Sequence, residues 1–185
     1  QVLIRILEDK INAHLDEQNL TTWKRLVAEY KDLDPVCETI LDIGYSQFPA
    51  YELLVITSDK TKNKIRERKS MGLNISLLTN HYTIYFETTL FFDNYKNTFG
   101  QPSTKRIFYG TNAANDEEKQ MLLTLQNLME KHFPNHSYIP YHILFIGKFA
   151  GAVPHGEFPD RREEGFSIFR FLFGNIHIGD ADILE

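Results

Sequence analysis

The sequence predicts an α+β domain, with N-terminal helices followed by a mainly antiparallel sheet into which one long amphipathic helix is inserted. Three observations carry this. The hydrophobic spacing of three and four ends at Tyr51, where strand-like apolar and alternating runs begin, a helical stripe returns over residues 115–132, and apolar runs follow it to the end of the chain. Strict alternation of strands and helices is missing, which argues against a doubly wound nucleotide fold. The chain therefore divides into a helical region over 1–50 and a sheet domain over 51–185, together one compact unit.

In chain order, Ile4, Leu7, Ile11 and Leu15 line one face of a first helix. Thr21 or Thr22 caps a second, whose stripe is Trp23, Leu26, Val27, Tyr30 and Leu33. Asp34-Pro35 has the form of a cap followed by proline at the first helical position. It opens a third helix through Val36, Ile40 and Ile43 that stops near Gly44 or before Pro49. The run YELLVIT from Tyr51 is short, apolar and rich in strand formers, so a strand covered on both faces is expected.

Residues 73–79 form a weaker strand, with a turn near Thr79-Asn80. Over 81–92, Tyr82, Ile84, Phe86 and Leu90 alternate with Thr83, Glu87 and Thr89, the pattern of a strand with one wetter face. Asp93-Asn94 ends it with turn chemistry, and 105–109 adds another short strand. Asn115 then caps the inserted helix, Glu118 stands three residues on as in a capping box, and Met121, Leu122, Leu125, Leu128 and Met129 form its core stripe. His132 lies in the last turn and Pro134 closes it. The apolar runs 138–146, 166–173 and 176–183 read as strands.

Composition excludes several classes. A formal charge of -5 argues against a dedicated duplex-DNA binder, whose affinity comes mostly from cations on phosphates. Cys37 is the single cysteine, so no intramolecular disulfide can form and a cytoplasmic setting is expected. No apolar stretch approaches the roughly 18 residues that span a bilayer, so no membrane partner is expected. The opening VLIRIL is interrupted by Arg5 and followed by Glu8, Asp9 and Lys10, which spoils it as a signal-peptide core. Asn-x-Ser/Thr triplets at Asn19, Asn74 and Asn135 are ordinary in an Asn-rich chain.

The most informative stretch is GKFAGAVPHGEFPDRREEG, residues 147–165, a polar insertion between two apolar runs. Long structureless insertions in compact domains are usually binding loops or lids. Its Phe149, His155, Glu157, Phe158, Asp160, Arg161 and Arg162 combine aromatic anchors with charges, the side chains that dominate protein interfaces. An alternative reading assigns His155, Glu157 and Asp160, with His177, Asp180 and Asp182, to a Zn or Mn site of a hydrolase or nuclease. None of these spacings is a recognised ligand signature, and solvated loop acids beside a strand histidine are the bland account. The adjacent Arg161 and Arg162 suit bidentate recognition of phosphate or carboxylate, yet Asp160, Glu163 and Glu164 flank them as on an ordinary exposed tip.

The run DKTKNKIRERKS, residues 59–70, sets Lys60, Lys62, Lys64, Arg66, Arg68 and Lys69 against Asp59 and Glu67. It suits a nucleotide or nucleic-acid sensor, or a solvated connection or short helix between strands. Nucleophile elbows, phosphate loops and His-Glu-x-x-His are absent, and Cys37 sits in an apolar pattern where a thiol is inert. With no catalytic signature and no cofactor, the expectation is a protein-interaction module, immunity-like or regulatory, that docks a protein partner through the 147–165 segment.

Overall fold

A computed structural model describes residues 17–33, 39–44, 50–96, 102–108, 113, 115–151, 154, 165–174 and 181–183, with only the backbone of 17–19, 39–44, 93–96, 102–108 and 181–183. The fold is α+β. Helix α1 (Glu17–Leu33) buries Trp23, Leu26, Val27 and Tyr30, four of the five stripe residues, while Leu33 at its end is 58% exposed. The first expected helix, over residues 4–15, lies outside the described residues.

The third expected helix is corrected. Ile40 and Ile43 belong to strand β1 (Thr39–Gly44), which pairs antiparallel with β2 (Ala50–Lys62) from Thr39 opposite Ile56 to Gly44 opposite Glu52. Its sequence TILDIG is rich in β-branched residues, and pairing along β2 outweighs the helix-opening form of Asp34-Pro35. Strand β3 (Ile65–Ser76) returns along β2 through a two-residue loop, and β4 (His81–Lys96) returns along β3 after a bend at 77–80.

Residues 59–70 are thus the two arms and turn of a hairpin, not a connection or short helix, and β4 runs past Asp93-Asn94 to Lys96. Strand β5 (Pro102–Phe108) pairs antiparallel with β4. Short β6 (Ser137–Tyr138) lies parallel to the start of β4, and β9 (Ala181–Ile183) parallel to β5. Among the described residues the sheet therefore has seven strands, in the order β1-β2-β3-β4-β5-β9 with β6 beside β4.

On one face Tyr51, Leu53, Val55, Met71, Leu73, Ile75, Tyr82, Ile84 and Phe86 meet α1 and the inserted helix α2 (Asp116–His132). Trp23 stacks on Tyr51 at 5.2 Å between ring centroids, tying α1 to the sheet. Asn115 caps α2 by accepting the Glu118 N–H at 2.8 Å, and Met121, Leu125, Leu128 and Met129 point inward. Glu29 of α1 receives Lys131 Nζ at 2.6 Å and pairs with His132 Nε2 at 2.8 Å, joining the last turn of α2 to α1. The first of these contacts, then the second, holds the Glu29 carboxyl below its usual range.

The other face is not the wetter one. Thr83, Glu87 and Thr89 are buried, and two short helices lie over this face at Ala50 and Tyr85: α3 (Tyr141–Ile146) and α4 (Ile168–Phe173). Both come from runs expected to be strands. Each is only six residues, and at that length an apolar run carries no period that separates helix from strand. Tyr141 with Leu144, and Phe169 with Phe173, repeat at three and four and pack against Ala50 and Tyr85. Ser76 Oγ donates to the carbonyl of Leu172 at 2.8 Å and pins α4 to β3. The ring of Tyr85 crosses to Gly72 opposite it, where a Cβ would collide with the phenol.

Candidate interaction surfaces

The foot of the 147–165 segment is well defined. Strand β7 (Lys148–Phe149) pairs antiparallel with β8 (Phe166–Ser167), so that Phe149 lies opposite Phe166 and both ends of the segment meet. Ile168 N–H adds a 2.8 Å bond to the carbonyl of Gly147. Gly165 at φ +74° allows the entry, where a side chain would press on the backbone of Phe149. Beside this foot the inward pair of α3 leaves Ile143 and Ile146 outward, 51% and 76% exposed, and Phe149 continues the ledge at 51%. Three of the six large apolar side chains most exposed among the described residues fall within 143–149, and Ile143 and Ile146, three apart on α3, share one face of it. Phe149 leans edge-on against Phe171 at 5.4 Å.

Of the candidates in the 147–165 segment and the C-terminal run, Phe149 is the one whose side chain is described. His155, Glu157, Phe158, Asp160, Arg161, Arg162, His177 and Asp180 lie outside the described residues, as does Cys37. The backbone of Asp182 stands opposite Ile107 in the β5–β9 pair. Among the described residues no group of three His, Cys, Asp or Glu could hold a metal ion.

A second surface is the hairpin of β2 and β3. Its loop residues Asn63 and Lys64 have φ of +51° and +65°, the left-handed pair that matches the twist of tight hairpins. Asp59 accepts from Arg66 Nε at 2.7 Å and from Arg68 Nε and Nη2 at 3.0 and 2.9 Å, and a further bond comes from Arg66 Nη2. Both guanidinium groups stand over Phe91, at 5.1 and 5.4 Å from its centroid. The Arg66 bond foremost, with Arg68 helping against partial desolvation, lowers the Asp59 carboxyl to about 2. These groups are partly solvated, so the clamp stiffens the hairpin more than it stabilises the fold.

Register places Lys60, Lys62 and Lys69 on the opposite face from the Asp59 clamp, with Lys60 opposite Glu67 and Lys62 opposite Ile65. Pairing of β1 along β2 ends at Ile56, and the register shifts between Ile56 and Ser58. Among the described residues no strand pairs with the outer side of β2 over 58–62.

A third feature lies beneath α3 and α4. Glu52, Asn74 and Thr83 stand opposite one another across three strands, all fully buried. Two rows along the same face, Ser70 Oγ donates to Glu87 Oε1 at 3.0 Å, and among the described residues Glu87 Oε2 has no hydrogen-bond partner. Burial foremost, then the Glu87 charge, pushes the Tyr141 hydroxyl far above its ordinary value. The alternation of Thr83, Glu87 and Thr89 was visible in the sequence, but the helices that cover them were not.

Comparison with protein-family models, with curated proteins and with solved structures found no match, so the geometry alone carries the functional argument.

Proposed function

We propose that the chain is a protein-interaction module, of the immunity-like or regulatory kind, that docks a protein partner on the ledge of Ile143, Ile146 and Phe149 at the foot of the 147–165 segment. The observation that carries this reading is the clustering of exposed large apolar side chains on a rigid base. Clustered exposed apolar surface marks interfaces more often than it marks scaffold, and a pre-ordered anchor binds with less loss of entropy. The base is rigid because α3 is held from within by Tyr141, whose ring packs on Tyr85 and Phe169 at 5.0 and 5.3 Å.

The test is replacement of Ile146 and Phe149 by Asp, singly and together. Both side chains are at least half exposed, so stability in urea should change by no more than about 0.5 kcal/mol for each. Partner capture in a pull-down from the source cells should fall to background in the double variant. Unchanged capture by a folded double variant would remove the ledge from the interface.

A further inference from the structure

We propose that the outer end of the helix-covered sheet face, built by the far halves of β2, β3 and β4, binds single-stranded nucleic acid at a site separate from the apolar ledge. The core under α1 and α2 reaches, on this face, the row Val55, Met71 and Phe86. The same register carries the face onward. Ser58, Lys69 and Thr88 come next, then Lys60, Glu67 and Leu90, then Lys62, Ile65 and Phe92, with Lys64 at the hairpin tip.

In the last two rows Lys60, Lys62 and Glu67 are exposed, Ile65 is 40% exposed, and Leu90 and Phe92 are half-buried. Lys60 and Lys62 line the β2 side, Lys69 the inner end and Lys64 the tip, beside an apolar surface of Ile65, Leu90 and Phe92. That division suits a single strand, whose phosphates go to ammonium groups while its unstacked bases lie on apolar and aromatic side chains. A duplex keeps its bases inside. Neighbouring strands are about 4.8 Å apart, so a base over Phe92 is roughly 10 Å from the backbone of Lys62, a gap that a nucleotide and a lysine side chain span together. Glu67 stands directly across from Lys60, and this pair of opposite charge leaves Lys62, Lys64 and Lys69 to set the sign of the face. On the reverse face Asp59 already grips Arg66 and Arg68, which turns phosphate toward the lysine side. An acidic peptide would use the lysines alone, whereas bases also use the apolar surface between them.

The experiment follows the fluorescence anisotropy of a labelled single-stranded oligothymidylate of about ten nucleotides, titrated with the whole chain over a range of salt. It should bind, and the logarithm of its affinity should fall linearly with that of salt, by about 0.7 for each phosphate neutralised. Lys60→Gln with Lys62→Gln should reduce that slope by about 1.4, while Lys148→Gln, at the foot of the 147–165 segment, should leave it unchanged. Phe92→Leu should weaken binding about fivefold at an unchanged slope, because stacking is lost and charge is not. The emission of buried Trp23 checks that each variant is folded. On the unaltered protein, an abasic strand of equal length should bind at least about fivefold more weakly than the oligothymidylate. Absence of binding, a slope indifferent to the lysine changes, or equal affinity for the abasic strand would overturn the site. Tighter binding of a polyglutamate peptide of equal charge would overturn the choice of nucleic acid, and tighter binding of a duplex would overturn the choice of a single strand. Ile146→Asp should bind the oligonucleotide normally, so failure of the ledge and failure of this face remain distinguishable.

Discussion

Lys64 occupies a left-handed backbone position in a two-residue hairpin loop, where Gly is the regular second residue. An L side chain there costs roughly 1–2 kcal/mol, against about 0.5–1 kcal/mol of extra chain entropy that Gly loses on folding. Lys64→Gly should therefore raise stability by about 0.5 kcal/mol in urea unfolding. A loss of stability would show that the lysine makes contacts that outweigh its strain. This residue also shows why the hairpin was hard to see. The run from Asp59 to Lys69 is mostly Lys, Arg, Asp and Glu, a charged composition that does not announce strands, and its turn lacks the Asn-Gly pair that announces such a loop. The strands exist because their buried halves, Tyr51 to Ile56 and Met71 to Ile75, fix a register that the charged halves continue.

Legibility among the elements follows length. Helix α2 was readable because 17 residues give a full stripe, a cap and a stop, with acids in its first turn and Lys131 and His132 in its last. Asn115→Ala should cost about 1 kcal/mol of stability in urea, and Asn115→Asp should recover most of it, because either oxygen can accept the Glu118 N–H. An alanine variant as stable as the parent would mean that the helix starts elsewhere. Helices α3 and α4 were not readable. YHILFI and IFRFLF are both apolar almost throughout, so only the surface waiting to be covered on the sheet decides between strand and helix. Ile143, Ile146 and Phe149 therefore passed in the sequence as ordinary strand residues or loop anchors, and their exposure became visible once α3 turned Tyr141 and Leu144 inward.

For the molecule as a whole, the two faces of the sheet differ in kind. One face is apolar and closed by long helices, while the other places Glu52, Asn74, Thr83, Ser70 and Glu87 under two short ones. A buried carboxyl group with a hydroxyl on one oxygen and, among the described residues, no partner on the other is a net cost to folding. Glu87→Gln keeps an acceptor for Ser70 and takes an ionisable group out of the interior, so it should raise stability by about 1 kcal/mol in urea unfolding. A marked loss would mean that the carboxylate is compensated by charge beyond the described residues. The α+β class, the helices α1 and α2 and the core residues on β2 and β4 were legible because they follow from period alone. The second face was not, since Thr83, Glu87 and Thr89 read as solvent-facing until the covering helices are in place.

Trp23 is the chain's single tryptophan, buried and stacked on Tyr51, where α1 meets the centre of the sheet. Its emission is therefore an intrinsic optical gauge of whether that helix remains seated. The same gauge reports on every substitution made at the ledge or on the lysine face, without a dye, because neither surface contains a competing indole.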